Sequence, residues 1–157
     1  MEILDIIDNN DIVIWKAERQ EIYEKKLNHR IVHIMIFNKK WEYLAQIRSE
    51  KASFLPWYYS TSVWGHVLAW ENYLEAGKRE MKEEIGLSLK VNFKIKFVFE
   101  TENKIKKFME VYEAVIDDEN LKINPEEVKN MEFLSLENLK QKEKLHPELK
   151  YILDKFY

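Results

Sequence analysis

The sequence predicts a mixed α/β fold, an α+β sandwich, on the strength of three observations. Strand-like and helix-like segments intermix without regular strand–helix alternation, which favours a mixed sheet over a doubly wound parallel one. The chain has 157 residues and 46% of them are hydrophobic, enough for the core of one ordinary domain. No linker, repeat or low-complexity segment divides it, so we expect a single domain over residues 1–157.

β-branched segments between turn residues predict a run of strands, beginning with a hairpin. The predicted strands are 3–8, 12–15, 30–37, 43–48, 91–101, 107–116 and 131–134. Helices are predicted at 18–27, 72–85, 136–141 and 147–156. The second helix has the clearest ends, because Asn72 with Glu75 forms a capping box and Gly86 stands where a terminating glycine belongs.

Charge and cysteine content exclude several classes of protein. Lys+Arg 25 against Asp+Glu 28 leaves a net charge of -3, which argues against a nucleic-acid partner. With Cys 0, a disulfide scaffold, a thiolate zinc site and a cysteine nucleophile are excluded. The apolar runs are shorter than a bilayer span, and the first residues lack the features of a signal peptide. We therefore expect a cytoplasmic protein with no membrane partner.

The second helix carries three carboxylates on one arc of about 100°. These are Glu80, Glu83 and Glu84. Three apolar side chains cluster on the other side of the helix: Leu74, Met81 and Ile85. We expect this stripe to pack on the sheet while the carboxylates project into a cleft. Like charges at this spacing destabilise a helix, and a hard divalent cation would compensate them; the alternative is a solvated, charged surface.

Residues 65–87 read GHVLAWENYLEAGKREMKEEIGL and match the pattern G-x5-E-x7-R-E-U-x-E-E-x-G-U, where U is aliphatic. The matching residues are Gly65, Glu71, Arg79, Glu80, Met81, Glu83, Glu84, Gly86 and Leu87. This pattern is the Nudix box, and on it the chain resembles the Nudix hydrolase family. The resemblance implies a Nudix α/β/α sandwich. It also implies attack of water, dependent on Mg²⁺ or Mn²⁺, on a nucleoside diphosphate linked to another moiety.

The resemblance also assigns roles by position. The implied metal ligands are Glu80, Glu83, Glu84 and the backbone carbonyl of Trp64. Either Glu80 or Glu83 would be the base that activates water. The structural residues of the box would be Gly65, Glu71, Arg79 and Gly86, with the glutamate and the arginine paired. Outside the box, Glu126 or Glu127 is the candidate for a further carboxylate. Arg48 is the candidate for a substrate phosphate contact, with a surface salt bridge as the alternative.

Beyond the box, the chain is similar to the Nudix branch that contains isopentenyl-diphosphate isomerase. The similar segments are 29–38, 44–49, 56–66, 123–129 and 145–150. The isomerase's catalytic Cys is replaced by Trp64, which removes its acid/base group. Its metal-binding histidines match His29 and His66, but two further ligands fall near Glu102 and Lys104, one of them a cation. Hydrolysis is thus favoured over isomerisation.

Tryptophans stand where common hydrolases of this family have loop glycines, at Trp57, Trp64 and Trp70. A glycine that needs positive φ cannot become Trp without strain, so these positions either have ordinary backbone or belong to a remodelled loop. The aromatic rings could form a lip over the substrate, or they could fill core or dimer surface. A non-catalytic nucleotide-binding module is therefore the alternative to an enzyme, and a homodimer is plausible.

Overall fold

The computed structural model describes all residues, Met1–Tyr157. The strands are β1 (Ile3–Ile7), β2 (Val13–Glu18), β3 (His29–Phe37), β4 (Tyr43–Arg48), β5 (Tyr59–Ser60), β6 (Val63–His66), β7 (Val91–Glu100), β8 (Lys106–Val115) and β9 (Val128–Leu134). The helices are α1 (Arg19–Glu24), α2 (Tyr73–Ile85), α3 (Leu136–Lys140) and α4 (Pro147–Phe156). Every predicted strand and helix is present. β4 and α4 have the predicted bounds, the other elements have shifted ends, and the two short strands β5 and β6 are additional.

One mixed sheet of seven strands forms the centre of the molecule. Its order is β5-β4-β3-β8-β7, with β6 also paired to β3 and β9 to β4. The central strand β3 runs parallel to β8 from His29 to Phe37 and antiparallel to β6. Because its sequence is rich in β-branched and long apolar residues, β3 can be buried on both faces.

Helices cover both faces of this sheet, so the α/β/α sandwich is confirmed. Alternate residues of β3 enter different cores, with Ile34 facing α2 and Met35 facing α4. The α2 side contributes Ala76, Met81 and Ile85 to the first core. The α4 side contributes Leu149, Ile152 and Leu153 to the second core, together with Leu139 of α3.

The first two strands form a separate hairpin with its own small core. Leu4, Ala17 and Ile22 pack there, which ties α1 to the hairpin. Strand β2 is the free edge, and Ile14 and Trp15 on it are exposed. No helix in the molecule combines the length and apolarity needed to cross a bilayer.

The ends of α2 follow the sequence prediction, but its buried face does not. The Asn72 side chain accepts from the Glu75 N–H, and Gly86 ends the helix at φ 70°. The predicted apolar stripe is wrong at Leu74, which is 36% exposed, whereas Glu80 and Glu84 are 6% and 2% exposed. Positions 80 and 84 are direct neighbours of 81 and 85 around the helix, so the face that packs on the sheet includes both carboxylates.

Candidate active site

Three carboxylates from two parts of the chain meet beneath the end of α2. Glu80 and Glu84 lie one turn apart on the helix, and Glu127 comes from the turn before β9. One oxygen of each lies within 4.8 Å of the others. The Asn124 N–H donates to the Glu84 backbone carbonyl at 2.9 Å, which ties the turn to the helix. Sequence pattern left Glu126 and Glu127 as equal candidates, and the structure brings Glu127 to the cluster.

Neighbouring residues make room for the cluster and hold its oxygens. A Cβ on Gly65 would lie 2.2 Å from the Glu80 carboxyl group, so only glycine lets β6 pass this close. The Gln46 amide donates to Glu84 Oε2 and the Trp64 N–H donates to Oε1 at 3.4 Å. The sequence interpretation missed Gln46; the available signal was one uncharged polar side chain within the largely apolar strand β4.

The pKa values of all three clustered carboxylates are raised, which means that their charged forms are disfavoured without a cation. Burial raises the pKa of Glu80 to about 8, with Arg79 opposing the shift. Burial, then repulsion from Glu80 and Glu127, raises the pKa of Glu84 well above its usual range, and burial also raises that of Glu127. Three converging carboxylates with this much repulsion fit a hard divalent ion, because Mg²⁺ takes carboxylate oxygens as ligands.

Arg79 and Glu71 clamp the loop that precedes α2. Arg79 Nε and Nη2 donate to the two Glu71 carboxylate oxygens at 2.6 and 3.0 Å. Arg79 Nη2 also donates to the His66 carbonyl at 3.0 Å, and the Leu68 N–H donates to Glu71 at 3.1 Å. The pairing expected from the box is therefore present, and it orients the chain on either side of the carboxylate cluster.

Two predicted metal ligands lie beside the cluster rather than within it. The Glu83 side chain is 50% exposed and accepts from Arg79 Nη1 at 3.2 Å. The polar contact of Trp64 with the cluster is made by its N–H. Glu126 is exposed and paired with Lys51. All three still border one cavity of about 270 Å³, the basin, whose floor is formed by Glu80 and Glu84.

Arg48 also lines the basin. Its Nε and Nη2 both donate to the Phe54 carbonyl, at 3.1 and 2.9 Å, and its guanidinium lies 5.1 Å from the Trp64 ring centre. The residue is 8% exposed, and no carboxylate is within ion-pair distance. The surface salt bridge considered from the sequence is thus absent. Arg48 Nη1 makes no hydrogen bond within the protein and is free to donate.

The two histidines shared with the isomerase pattern are buried and neutral. His66 Nε2 is hydrogen-bonded to the Tyr23 hydroxyl at 2.8 Å, and His29 Nδ1 to the Leu27 carbonyl at 3.0 Å. Burial lowers the pKa of His29 to about 4 and that of His66 well below its usual range. Lys104, which aligns near a further metal ligand of the isomerase, has a side chain that is 79% exposed and paired with Glu100.

The three tryptophans expected at glycine positions have different surroundings. Only Trp57 has positive φ, at 70°, and the Lys129 ammonium lies 4.9 Å from its ring. Trp64 lines the basin. Trp70 is 69% exposed and lines neither the basin nor the neighbouring cavities. Of the possible aromatic lip, Trp64 alone lies at the carboxylate cluster.

Known proteins are similar to this chain in sequence and in fold. A family model described as the NUDIX domain matches residues 27–156. The chain is 35% identical over 120 residues to an uncharacterized Nudix hydrolase, all7351, of Nostoc sp., covering 74% of this chain and 71% of that protein. It is 30% identical over 147 residues to the isopentenyl-diphosphate Delta-isomerase of Pectobacterium atrosepticum, covering 91% and 82%.

A solved structure covers the whole molecule. DR0079 from Deinococcus radiodurans superposes with a TM-score of 0.85 at 25% identity, over 99% of each chain. The match to the family model extends well beyond the box and includes most of the sheet, α3 and α4. The chain therefore belongs to the Nudix hydrolase family.

Proposed function

We propose that this protein is a metal-dependent pyrophosphohydrolase that cleaves a nucleoside diphosphate linked to another moiety. The observation that carries the proposal is the convergence of Glu80, Glu84 and Glu127 under a buried helix face, next to the unpaired Arg48. One end of the cleft is thus suited to a divalent cation and the other to a phosphate. A diphosphate is a ligand that needs both.

In this proposal Glu80, Glu84 and Glu127 hold Mg²⁺ or Mn²⁺, with the Trp64 carbonyl as a further candidate ligand. The ion supplies neutralisation of the diphosphate charge and activation of a water. Arg48 binds a phosphate oxygen through Nη1, while its other donors are held by Phe54. Arg79 and Glu71 keep the helix and its preceding loop in place.

Glu80 and Glu83 remain the two candidates for the general base. Glu83 is favoured by its position at the rim of the basin, where half of its side chain is open to solvent. Water adds to one phosphorus, the bridging P–O bond breaks, and the phosphate on the other side leaves. The protons of the water pass to the base and then to solvent.

A phosphate-release assay, coupled to a pyrophosphatase or a phosphatase, tests this function with nucleoside triphosphates, nucleotide sugars, ADP-ribose and dinucleoside polyphosphates. We expect metal-dependent turnover that falls by about a thousandfold or more in Glu84→Gln and in Glu83→Gln. Glu143→Gln, the same change at an exposed site outside the cleft, is the matched control. Full activity in Glu84→Gln, or turnover without a divalent metal, would contradict the proposal.

The alternative of a non-catalytic nucleotide-binding module rests on Trp64, whose ring occupies the wall of the basin. Tight nucleotide binding without product under any divalent metal would favour it. Isomerisation of isopentenyl diphosphate is the third possibility, suggested by the relative of that name. It is disfavoured because Trp64 offers no acid/base group. Chromatography of isopentenyl diphosphate after incubation with the protein tests it directly, because an isomer is then detected without release of phosphate.

A further inference from the structure

Gln46 is a buried amide that holds one of the clustered carboxylates. Its Nε2 donates to the Ser62 carbonyl at 3.1 Å and to Glu84 Oε2. Because a backbone carbonyl can only accept, the amide nitrogen is the atom that must face Ser62, and this fixes the orientation of the side chain. The residue is 1% exposed, and its backbone is paired with Ser60 of β5 and Met131 of β9. Gln46 is therefore a donor whose position is fixed by the sheet.

Both oxygens of the Glu84 carboxylate are held from the sheet. Oε2 accepts from Gln46, and Oε1 accepts from the Trp64 N–H at 3.4 Å. Glu84 is 2% exposed, so neither oxygen can turn away to bulk water. A carboxylate oxygen has more than one lone pair and can still bind an ion. The carboxylate cannot rotate to bring both oxygens onto the same ion, however, without breaking its contact with Gln46.

Glu80 is restrained in a similar way, whereas Glu127 is not. Glu80 Oε1 accepts from Arg79 Nη1 at 2.6 Å, and the backbone of Gly65 lies against the carboxyl group. Glu127 is exposed, and its side chain accepts only from Asn124 Nδ2, at 3.5 Å. Two of the three clustered carboxylates therefore each have one oxygen engaged by a donor of the protein.

We propose that Gln46 is a positioning residue that makes the carboxylate cluster prefer the smaller ions Mg²⁺ and Mn²⁺ over Ca²⁺. This inference rests on the proposed function, in which the cluster holds the metal. Mg²⁺ takes about six ligands at ~2.0–2.1 Å and keeps several waters, so single carboxylate oxygens satisfy it. Ca²⁺ takes about six to eight oxygens at ~2.3–2.6 Å and commonly uses both oxygens of a carboxylate. By holding Glu84 Oε2, Gln46 withholds that second oxygen from the larger ion.

Competition between Mn²⁺ and Ca²⁺, followed by electron paramagnetic resonance of Mn²⁺, tests the inference without turnover. Gln46→Met keeps the length of the side chain and removes its donor. We expect the wild type to prefer Mn²⁺, and this preference to fall by about tenfold in Gln46→Met, since loss of a residue that orients a metal ligand typically costs about 10- to 100-fold in affinity. The matched control is Thr61→Val. It removes a buried hydroxyl, bonded to His33 Nδ1 at 2.8 Å, and should keep the wild-type preference.

The side-chain amide of Gln46 gives a second test, which does not depend on the folding of a variant. In NMR spectra of the wild type, the amide hydrogens of Gln46 should exchange slowly with water in EDTA, because the side chain is buried and bonded. They should stay protected after addition of Mg²⁺, since in this proposal Glu84 binds the ion without leaving Gln46.

Three results would overturn the inference: a wild type that binds Ca²⁺ as tightly as Mn²⁺, a folded Gln46→Met with an unchanged preference, and loss of the amide protection when Mg²⁺ is added. An equal fall in Thr61→Val would overturn it as well, because any lost buried hydrogen bond would then have the same effect. The expected preference without hydrolysis of any substrate would contradict the proposed function and leave the role of Gln46 intact. Hydrolysis with Mn²⁺ and an unchanged preference in Gln46→Met would do the reverse.

Discussion

The basin and a neighbouring cavity of about 390 Å³, the chamber, are built in different ways. The carboxylate cluster in the basin takes two of its three members from one helix, where a four-residue spacing brings Glu80 and Glu84 together. The chamber collects Phe54, Asn103 and Lys107 from a loop, a turn and a strand that are far apart in the chain. In the basin three carboxylates face one another and only Glu80 has an ion-pair partner, Arg79 at 2.6 Å. In the chamber Lys107 and Glu148 neutralise each other. The carboxylates of the basin would be neutralised by an added cation, whereas the Lys107–Glu148 pair is neutral by itself.

Removing one partner of the buried pair in the chamber should have the largest effect on stability. Lys107→Met leaves Glu148 charged and buried, and we expect a loss of about 3–5 kcal/mol in the free energy of unfolding. The matched change Lys51→Met, which breaks the exposed pair with Glu126, should cost about 0–1 kcal/mol. Urea unfolding measures both. Equal losses would show that the Lys107–Glu148 pair does not behave as buried, and Lys107→Met/Glu148→Gln should recover part of the loss.

Acid should lower the free energy of unfolding, because buried histidines in and beside the chamber resist protonation. Burial lowers the pKa of His29 and of His146 to about 4. Their pKa in the unfolded chain is about 6.5, so below that pH the unfolded state binds protons that the folded state excludes. Stability should therefore fall between about pH 6.5 and pH 4, by about 3 kcal/mol for His29 alone.

Urea unfolding at about pH 7.5 and at about pH 5 checks this dependence on both sides of the usual histidine range. The variant His29→Gln, whose side chain does not titrate, should lose stability less steeply than the wild type on acidification. Constant stability, or a gain on acidification, would be incompatible with neutral buried histidines.

In the basin, removal of a charge should stabilise the metal-free protein. Burial and repulsion raise the pKa of Glu84 well above its usual range, so Glu84→Gln removes an unfavourable charge. The single amide oxygen of the new side chain can still accept from one of the two donors, Gln46 or Trp64. We expect a gain of about 1 kcal/mol or more in EDTA, in contrast to the loss in Lys107→Met. Addition of Mg²⁺ should then stabilise the wild type and leave the variant unchanged. If Glu84→Gln destabilised the protein in EDTA, repulsion among the three carboxylates would not limit the stability of the metal-free protein.

Substitution of the two glycines of the box, Gly65 and Gly86, should have smaller effects that differ in kind. Gly86 has φ 70°, and a Cβ there would lie 2.8 Å from Lys122 Cβ, so Gly86→Ala should cost about 1 kcal/mol of stability. It should leave metal affinity unchanged, because Gly86 does not line the basin. Gly65→Ala should instead lower metal affinity by displacing Glu80. Titration with Mn²⁺ measures the metal affinity of both variants. Similar affinities in Gly65→Ala and Gly86→Ala would contradict the expectation that only Gly65 supports the metal site.

The difference between the cavities also explains what could be predicted from the sequence. The strands, the helices, the ends of α2 and the pairing of Glu71 with Arg79 follow from local patterns and from a motif of fixed spacing. The burial of Glu80 and Glu84 could not be predicted, because it depends on residues far away in the chain: Gly65 lies against Glu80, and Gln46 and Trp64 donate to Glu84. Likewise Arg48 could be singled out, but its hold on the Phe54 carbonyl depends on the course of a loop.

Glu127 against its neighbour Glu126 gives the most direct test of the central claim, that the carboxylate cluster is a divalent metal site. Both are glutamates of one turn, but only Glu127 joins Glu80 and Glu84. In a Mn²⁺ titration we expect Glu127→Gln to weaken binding by about tenfold or more, and Glu126→Gln to leave it unchanged. Equal affinities in the two variants and the wild type would contradict the metal site described here.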